Sequence, residues 1–307
     1  MLSQLEVARI IGEPKDPRKP YPNLIENICE IDTANPEDYI YYFDAIQDTD
    51  KVYVITSTGE VTQENVTPDT PTQITFADAA SPEYYIKITD LLSKKEDVLA
   101  RKNKTINRAL NAYEIQTVIG LMSTAASGVS HTNTLGSGYT RFSFPHLIDM
   151  LEQVQDYGDN YTLVLGATVD KDIKLWDWND NKYHSLKEAL EDLNIERVRI
   201  SLAGSAAQYT KDGAATDVLA ANTAYLVAKD TEMGKPLLFV RKKLDTVKAL
   251  GGVIAEGQPA PERYVFMSPN PITVTGSARY LAVGVTGFEE IAAAVVNPYA
   301  LSRFIRS

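Results

Sequence analysis

Catalysis and metal binding need particular side chains at particular spacings, so the three histidines are the first residues to weigh. His131 lies in a glycine- and serine-rich stretch, His146 follows Pro145, and His184 precedes a helical pattern. None stands at metal-ligand spacing from a carboxylate or a second histidine. There is no G-x-S-x-G elbow to activate a serine and no P-loop to cradle phosphate, and the Gly-Ser-Gly-Tyr run is not a dinucleotide fingerprint. Two carboxylate pairs, Glu289-Glu290 and Asp177/Asp180, have the residue type for acid–base work, but solvated surface is the default for such pairs. Trp176 and Trp178 would share one side of a strand, which suits an interface or a satellite core better than a ligand cage. The expectation is therefore no enzyme, no metal and no cofactor.

Cationic side chains offer a different chemistry. Lys94, Lys95, Arg101, Lys102, Lys104 and Arg108 crowd one stretch, and Arg303 and Arg306 form a smaller pair. Phosphate contact is one use for them; a solvated face that balances nearby acids is the simpler one. The whole chain carries a formal charge of −11 with a pI near 4.9. A protein built mainly to grip nucleic acid is normally basic, so any contact with DNA is expected to be weak and local. Lys95, Lys102 and Arg108 are its candidates.

These residues need elements to hold them, and the basic stretch belongs to the most conspicuous one. Ser93 and Glu96 stand at capping-box spacing. Leu99, Ile106, Leu110, Tyr113 and Val118 then follow close to helical period. From Ser93 to Gly120 the helix would span about 28 residues, roughly 40 Å at 1.5 Å each. That is more than twice the usual length in globular domains. A rod of this kind serves as a frame for other elements.

The chain has 307 residues, 44% of them hydrophobic and 23% charged, which is ample for a sizeable core. No apolar run is long enough for a membrane helix, and no signal peptide is expected. The single cysteine, Cys29, rules out an internal disulfide. Seventeen tyrosines against eight phenylalanines favour extensive subunit contact, because tyrosine joins a large apolar body to a polar tip.

Residues 1–22 read as a short amphipathic helix followed by an arm marked by Pro14, Pro17, Pro20 and Pro22. Residues 50–88 read as a β-excursion with a turn at Ser57-Thr58-Gly59-Glu60, a short strand QITFA and an alternating strand YYIKI. So polar a segment cannot bury a core of its own and must lie on something else. Tyr53, Val54, Phe76, Tyr84 and Tyr85 are its candidate contact residues. Ser127 to Tyr139 reads as a mobile loop. Beyond it, an amphipathic helix through Leu147 and Leu151, the buried strand YTLVLG, the helix HSLKEALEDLN and the strands RVRISLAG and AYLVAKD alternate as in a compact α/β layer unit. PLLFVRKKL and the stretch from Glu262 to Gly287 suggest long strands, and Asn297-Pro298 breaks the closing segment.

This order of parts resembles a tailed-bacteriophage major capsid protein of the Hong Kong 97-type fold, an α+β fold. The resemblance covers nearly the whole chain and rests on architecture, since the family has no short diagnostic motif. It implies an N-terminal arm at 1–49, an E-loop hairpin at 50–88, and a spine helix with peripheral domain at 89–140. It further implies an axial domain at 141–232, peripheral strands at 233–283 and a return to the axial domain at 284–307. The implied role is self-assembly into hexamers and pentamers of an icosahedral virion enclosing double-stranded DNA, put together in the host cytoplasm. Its partners would be further copies of the chain, scaffolding, portal and decoration proteins, and weakly held DNA, with no membrane. Encapsulin shells, which enclose enzymes, are similar in fold and form the alternative. Some members cross-link through an E-loop lysine. Here Lys51 and Lys87 lie near the base of the segment, so no such cross-link is expected. A separate scaffolding protein is expected as well.

A shell also fits the residues taken alone. Polar, proline-marked segments gain from lying on neighbours. Ordering them costs conformational entropy, so single contacts are weak, while many together are strong. An acidic wall would not adhere to the genome it surrounds.

Overall fold

The computed structural model describes residues 23–43, 72–82, 84–87, 98–136, 138–176, 185–200, 208–211, 214–232, 234–244, 262–273 and 279–306. The proline-marked arm, the predicted turn near Gly59 and the predicted cap at Ser93 lie outside them.

Helix α1 (Leu24–Ile28) buries Leu24, Ile25 and Ile28 and runs directly into strand β1 (Cys29–Ala34). Strand β2 (Ile40–Phe43) pairs antiparallel with β3 (Thr72–Thr75) as a two-stranded ribbon. Strands β4 (Ala77–Ala80) and β5 (Tyr84–Lys87) complete the described part of the excursion. Helix α2 (Val98–Gly128) has 31 residues, close to 47 Å at 1.5 Å each. Ile106, Leu110, Ile115, Val118, Ile119 and Met122 are buried along it.

The predicted mobile loop contains strand β6 (Thr132–Thr134). Long-range pairing overrides its polar composition: Asn133 hydrogen-bonds Gln153 at 2.9 Å and Ser302 at 3.3 Å. Helix α3 (Phe144–Val154) starts at Ser143, where His146 returns a ring nitrogen to the capping backbone amide. Then come β7 (Asp159–Leu165), α4 (Ala167–Ile173), α5 (Leu186–Asp192), β8 (Ile195–Arg199), the small hairpin β9 (Gln208–Lys211) and β10 (Ala214–Asp217), and β11 (Thr223–Asp230). Strands β12 (Leu237–Lys242), β13 (Arg263–Thr273) and β14 (Arg279–Val295) follow, and β15 (Leu301–Ile305) closes the chain.

Two sheets share α2. The first is built on β14, whose 17 residues extend about 55 Å at strand rise. It pairs with β13, β12, β4 and β5, and β1 joins parallel to β12. The second has the order β6-β15-β11-β7-β8. Alternation sorts its side chains by face. Tyr225, Val227, Val164 and Leu301 join the cluster that includes α2, β1 and β12, whereas Leu163, Leu165, Leu226 and Phe304 join the cluster that includes α3 and α4. The second sheet is thus buried on both sides, as its near-continuous apolar strands require. The chain stays in the first sheet through Val295 and crosses into the second only after the Asn297-Pro298 break.

Close approach between α2 and β14 requires glycine at one point. A Cβ on Gly287 would stand 2.2 Å from Ile106 Cγ2. Ser81 fixes the same place, donating its amide to the Gly287 carbonyl at 2.8 Å and accepting the Gly287 amide at 2.9 Å.

Candidate functional site

Of the predicted contact residues, Tyr53 and Val54 lie outside the described residues, as does Lys95. Phe76 connects β3 to β4 and packs, half-buried, on Ala34, Leu238, Val240 and Ala292 of the first sheet. Tyr84 and Tyr85 alternate on β5. Tyr84 packs on Ile106 and Leu110 of α2, while Tyr85 on the other face is 52% exposed. The excursion does lie on something else, and for its described part that is its own subunit. Ile86 and Ala79 are buried against α2 and β14.

Lys102 and Tyr84 meet. The ammonium stands 4.4 Å from the ring centroid, a cation–π contact worth about 0.5–1 kcal/mol when exposed. Arg108 is half-buried on the same helix. The cationic stretch thus braces β5 on α2, a use that leaves less of it for phosphate.

Glu289 reverses the expectation of solvated surface. It is 1% exposed, and Glu114 on α2 is 2% exposed beside it. Arg241 donates to both Glu114 oxygens at 3.0 and 3.2 Å. Arg263 donates to Glu289 at 2.6 Å and to Asn111 at 2.7 Å, and it lies 3.1 Å from Glu114. Burial first, and the Glu114 charge second, push the Glu289 carboxyl up to about 7, against the pull of Arg263 and Arg241. Glu290 instead pairs with Lys242 at 2.8 Å. Four charged side chains from α2, β12, β13 and β14 therefore tie the long helix to the long strand.

A second cluster lies where β7 and β8 end. Buried Asp170 on α4 meets Arg197, Lys174 at 3.0 Å and Arg199 at 3.1 Å. Burial alone would raise its carboxyl, but the hydrogen bonds of Arg197 and Lys174 and the nearby guanidinium charges hold it below the usual range. Asp172 accepts the Phe142 amide at 3.0 Å and lies 3.3 Å from Arg306. Trp176 donates its indole to the Phe142 carbonyl at 2.8 Å and belongs to the second sheet's core. Trp178 lies outside the described residues.

Sequence reasoning weighed Glu289 only as solvated surface and passed over Glu114 and the Asp170 cluster, although local signals existed. Glu114 occupies the apolar row Leu110–Glu114–Val118, and Arg197 and Arg199 flank buried Val198 on one strand. The two described histidines serve structure: His131 Nδ1 lies 3.1 Å from the Leu301 carbonyl, and His146 contacts the Ser143 hydroxyl at 2.7 Å, while His184 lies outside the described residues. Burial lowers the His146 pKa. Among the described residues no group of three His, Cys, Asp or Glu side chains could hold a metal ion, and no helix is long and apolar enough to cross a membrane.

No protein-family model and no curated protein sequence matches the chain. Solved structures do. The capsid structure of the cyanophage P-SCSP1u is similar at a TM-score of 0.60, covering 97% of this chain and 91% of that one at 12% identity. A structure from Microbacterium phage Oxtober96 also gives 0.60, covering 100% of both chains at 9% identity. The virus-like particle from Pyrococcus furiosus gives 0.52 over 92% of each chain at 11% identity. Identities this low speak for backbone arrangement, and on that ground the chain has the α+β, Hong Kong 97-type fold of phage capsid proteins.

Proposed function

We propose that this chain is the major capsid protein of a tailed bacteriophage, a structural protein and not an enzyme. The observation that carries the reading is the extent of the likeness: a phage capsid structure matches 97% of this chain and is itself covered to 91%. Copies assemble into hexamers and pentamers of an icosahedral head around double-stranded DNA. The body of α2 and β14 serves as the peripheral domain, and the sheet of β6, β15, β11, β7 and β8 as the axial one. The parts of residues 1–49 and 50–88 beyond the strands packed on their own subunit reach neighbouring copies, with Tyr53, Val54 and exposed Tyr85 at those contacts, while Phe76 and Tyr84 hold the excursion to its own body. Scaffolding and portal proteins, with decoration proteins where present, are the other partners. The acidic balance of −11 keeps the wall from binding the genome tightly; Lys95, Lys102 and Arg108 are the candidates for weak contact, Lys102 in competition with its hold on Tyr84. Electron microscopy of the expressed chain, with its scaffold, tests this. Closed shells are the expected result, and a compact monomer under every assembly condition would refute it.

The likeness to a virus-like particle from Pyrococcus furiosus, a cellular organism, fits a shell that is not a phage head, and the second reading is an encapsulin-like nanocompartment shell. The contents of purified particles separate the two: DNA supports the phage head, and a co-purifying cargo enzyme supports the compartment.

A further inference from the structure

We infer that the two ends of the second sheet are oppositely charged mating faces through which copies of this chain join head to tail. The inference rests on the shell reading and names the contact within it.

The basic face is a cavity of about 620 Å³ where β7 and β8 end. Among the described residues its lining holds five cations, Arg141, Lys171, Lys174, Arg199 and Arg306, against two carboxylates, Asp170 and Asp172. Both carboxylates are already engaged within the subunit. Asp170 alone receives three cations, Arg197, Arg199 and Lys174, so their charge exceeds what it neutralises. Arg199 Nε is buried and, among the described residues, donates to no acceptor, although Asp170 Oδ2 is only 3.1 Å away. Arg141 and Lys171 stand exposed at the rim. Among the described residues the hollow keeps an excess of positive charge, which in a chain of charge −11 calls for an acidic occupant.

The opposite end of the same strands supplies one. A cavity of about 650 Å³ there is lined by Glu26, Glu191, Glu196 and Asp230 against Lys229 and Lys235. Lys229 is committed to Glu196 at 2.8 Å, Lys235 donates to the Glu26 backbone carbonyl, and Lys187 pairs with Glu191 at 3.5 Å on the open surface, so Glu26 and Asp230 carry the excess negative charge. Strand direction fixes the opposition. Arg199 ends β8 and Ile195 begins it, while the basic cavity follows Leu165 of β7 and the acidic one includes Asn160 at its start. Six residue steps of β7 separate the faces by about 20 Å.

Like faces repel and unlike faces attract, so the contact joins two different patches. A heterologous contact of that kind closes into a ring when its rotation allows. Each copy in the ring presents one basic and one acidic face.

Charge reversal at exposed positions tests this on the full-length chain. Arg141→Glu with Lys171→Glu makes both faces acidic, and Glu191→Lys with Asp230→Lys makes both basic. Each variant alone is expected to lose the capsomer and shell peaks in sedimentation while keeping wild-type circular dichroism. Mixed in equal amounts, they are expected to regain hexameric rings. Pentameric rings should stay lost, because an odd ring cannot alternate two kinds of subunit. If wild type assembles and the variants assemble as well as it does, the inference falls and the shell reading stands. Folded variants that fail alone and are not restored by mixing also overturn it. If wild type never assembles, both readings fall.

Discussion

Glu114 on α2 and Glu289 on β14 share one guanidinium, with Arg263 3.1 Å from the first and 2.6 Å from the second. Two buried carboxylates repel each other unless cations stand between them. Removing one partner from a buried ion pair typically costs about 3–5 kcal/mol, because the other charge is left uncompensated. Arg263→Ala is therefore expected to lose about 3 kcal/mol in denaturant unfolding of the unassembled chain. Adding Glu289→Gln should restore at least about 1 kcal/mol by removing the repulsion, a coupling that a double-mutant cycle measures. A single-variant loss below about 0.5 kcal/mol would mean that the cluster does not hold α2 in place.

The same pair sets a pH dependence. In the folded chain the Glu289 carboxyl is pushed up to about 7, first by burial and then by Glu114, from an ordinary value of 4.5. A folded value above the unfolded one means that the native chain holds the extra proton between those limits. The contribution is complete below about pH 4.5 and is lost as the pH rises through 7, with an amplitude of about 3 kcal/mol by linkage. Wild-type stability, taken relative to Glu289→Gln, should therefore fall across that window and level off above it. A difference that stays flat from pH 4.5 to 7.5 would refute this account of Glu289.

Gly287 tests the fit of helix to strand. Its missing Cβ would overlap Ile106 Cγ2 at 2.2 Å, and Leu110 lies 3.3 Å away. Gly287→Ala is expected to cost about 1–3 kcal/mol by overpacking. Ile106→Leu removes the branched methyl while keeping the volume, so the double variant should recover part of that loss. At Gly166 the neighbours are instead the Ala220 and Ala221 carbonyls, at 2.4 and 2.6 Å. Backbone cannot step aside like a side chain, so Gly166→Ala should cost more and resist rescue. Thermal melting of the three variants gives the order.

The elements that proved legible in the sequence are those whose burial follows a local period. Leu110 and Val118 marked α2, Leu147 and Leu151 marked α3, and the apolar runs of β7, β11 and β12 marked strands. Strand β6 escaped because Thr132–Thr134 owes its form to pairing with Arg303–Ile305, far along the chain. The Glu114 and Asp170 clusters escaped for a related reason. A carboxylate is solvated by default, and Arg241 lies 127 residues from Glu114, so only the fold brings the charges together. The oppositely charged ends of the second sheet were hidden likewise, since Arg141, Lys171 and Arg306 come from three separate stretches.

The excursion offers the sharpest test of the assembly reading, and the strand register shows where to cut. Phe43 at the end of β2 pairs with Thr72 at the start of β3. Residues 44–71 can therefore be replaced by an Asn-Gly turn that joins the two strands directly, the connection a two-residue hairpin favours. Removing 50–88 as a whole would instead strip β4 and β5 from β14 and expose Ile106 and Leu110. The shorter excision keeps the buried contacts of Ile74, Phe76, Ala79 and Ile86, so its melting temperature should stay within a few degrees of wild type. On the proposed function it removes reach to a neighbouring copy, so the folded product should remain as monomers or isolated rings in electron micrographs. Closed particles of normal size from this form would show that residues 44–71 play no part in assembly, and the proposed E-loop role would have to be abandoned.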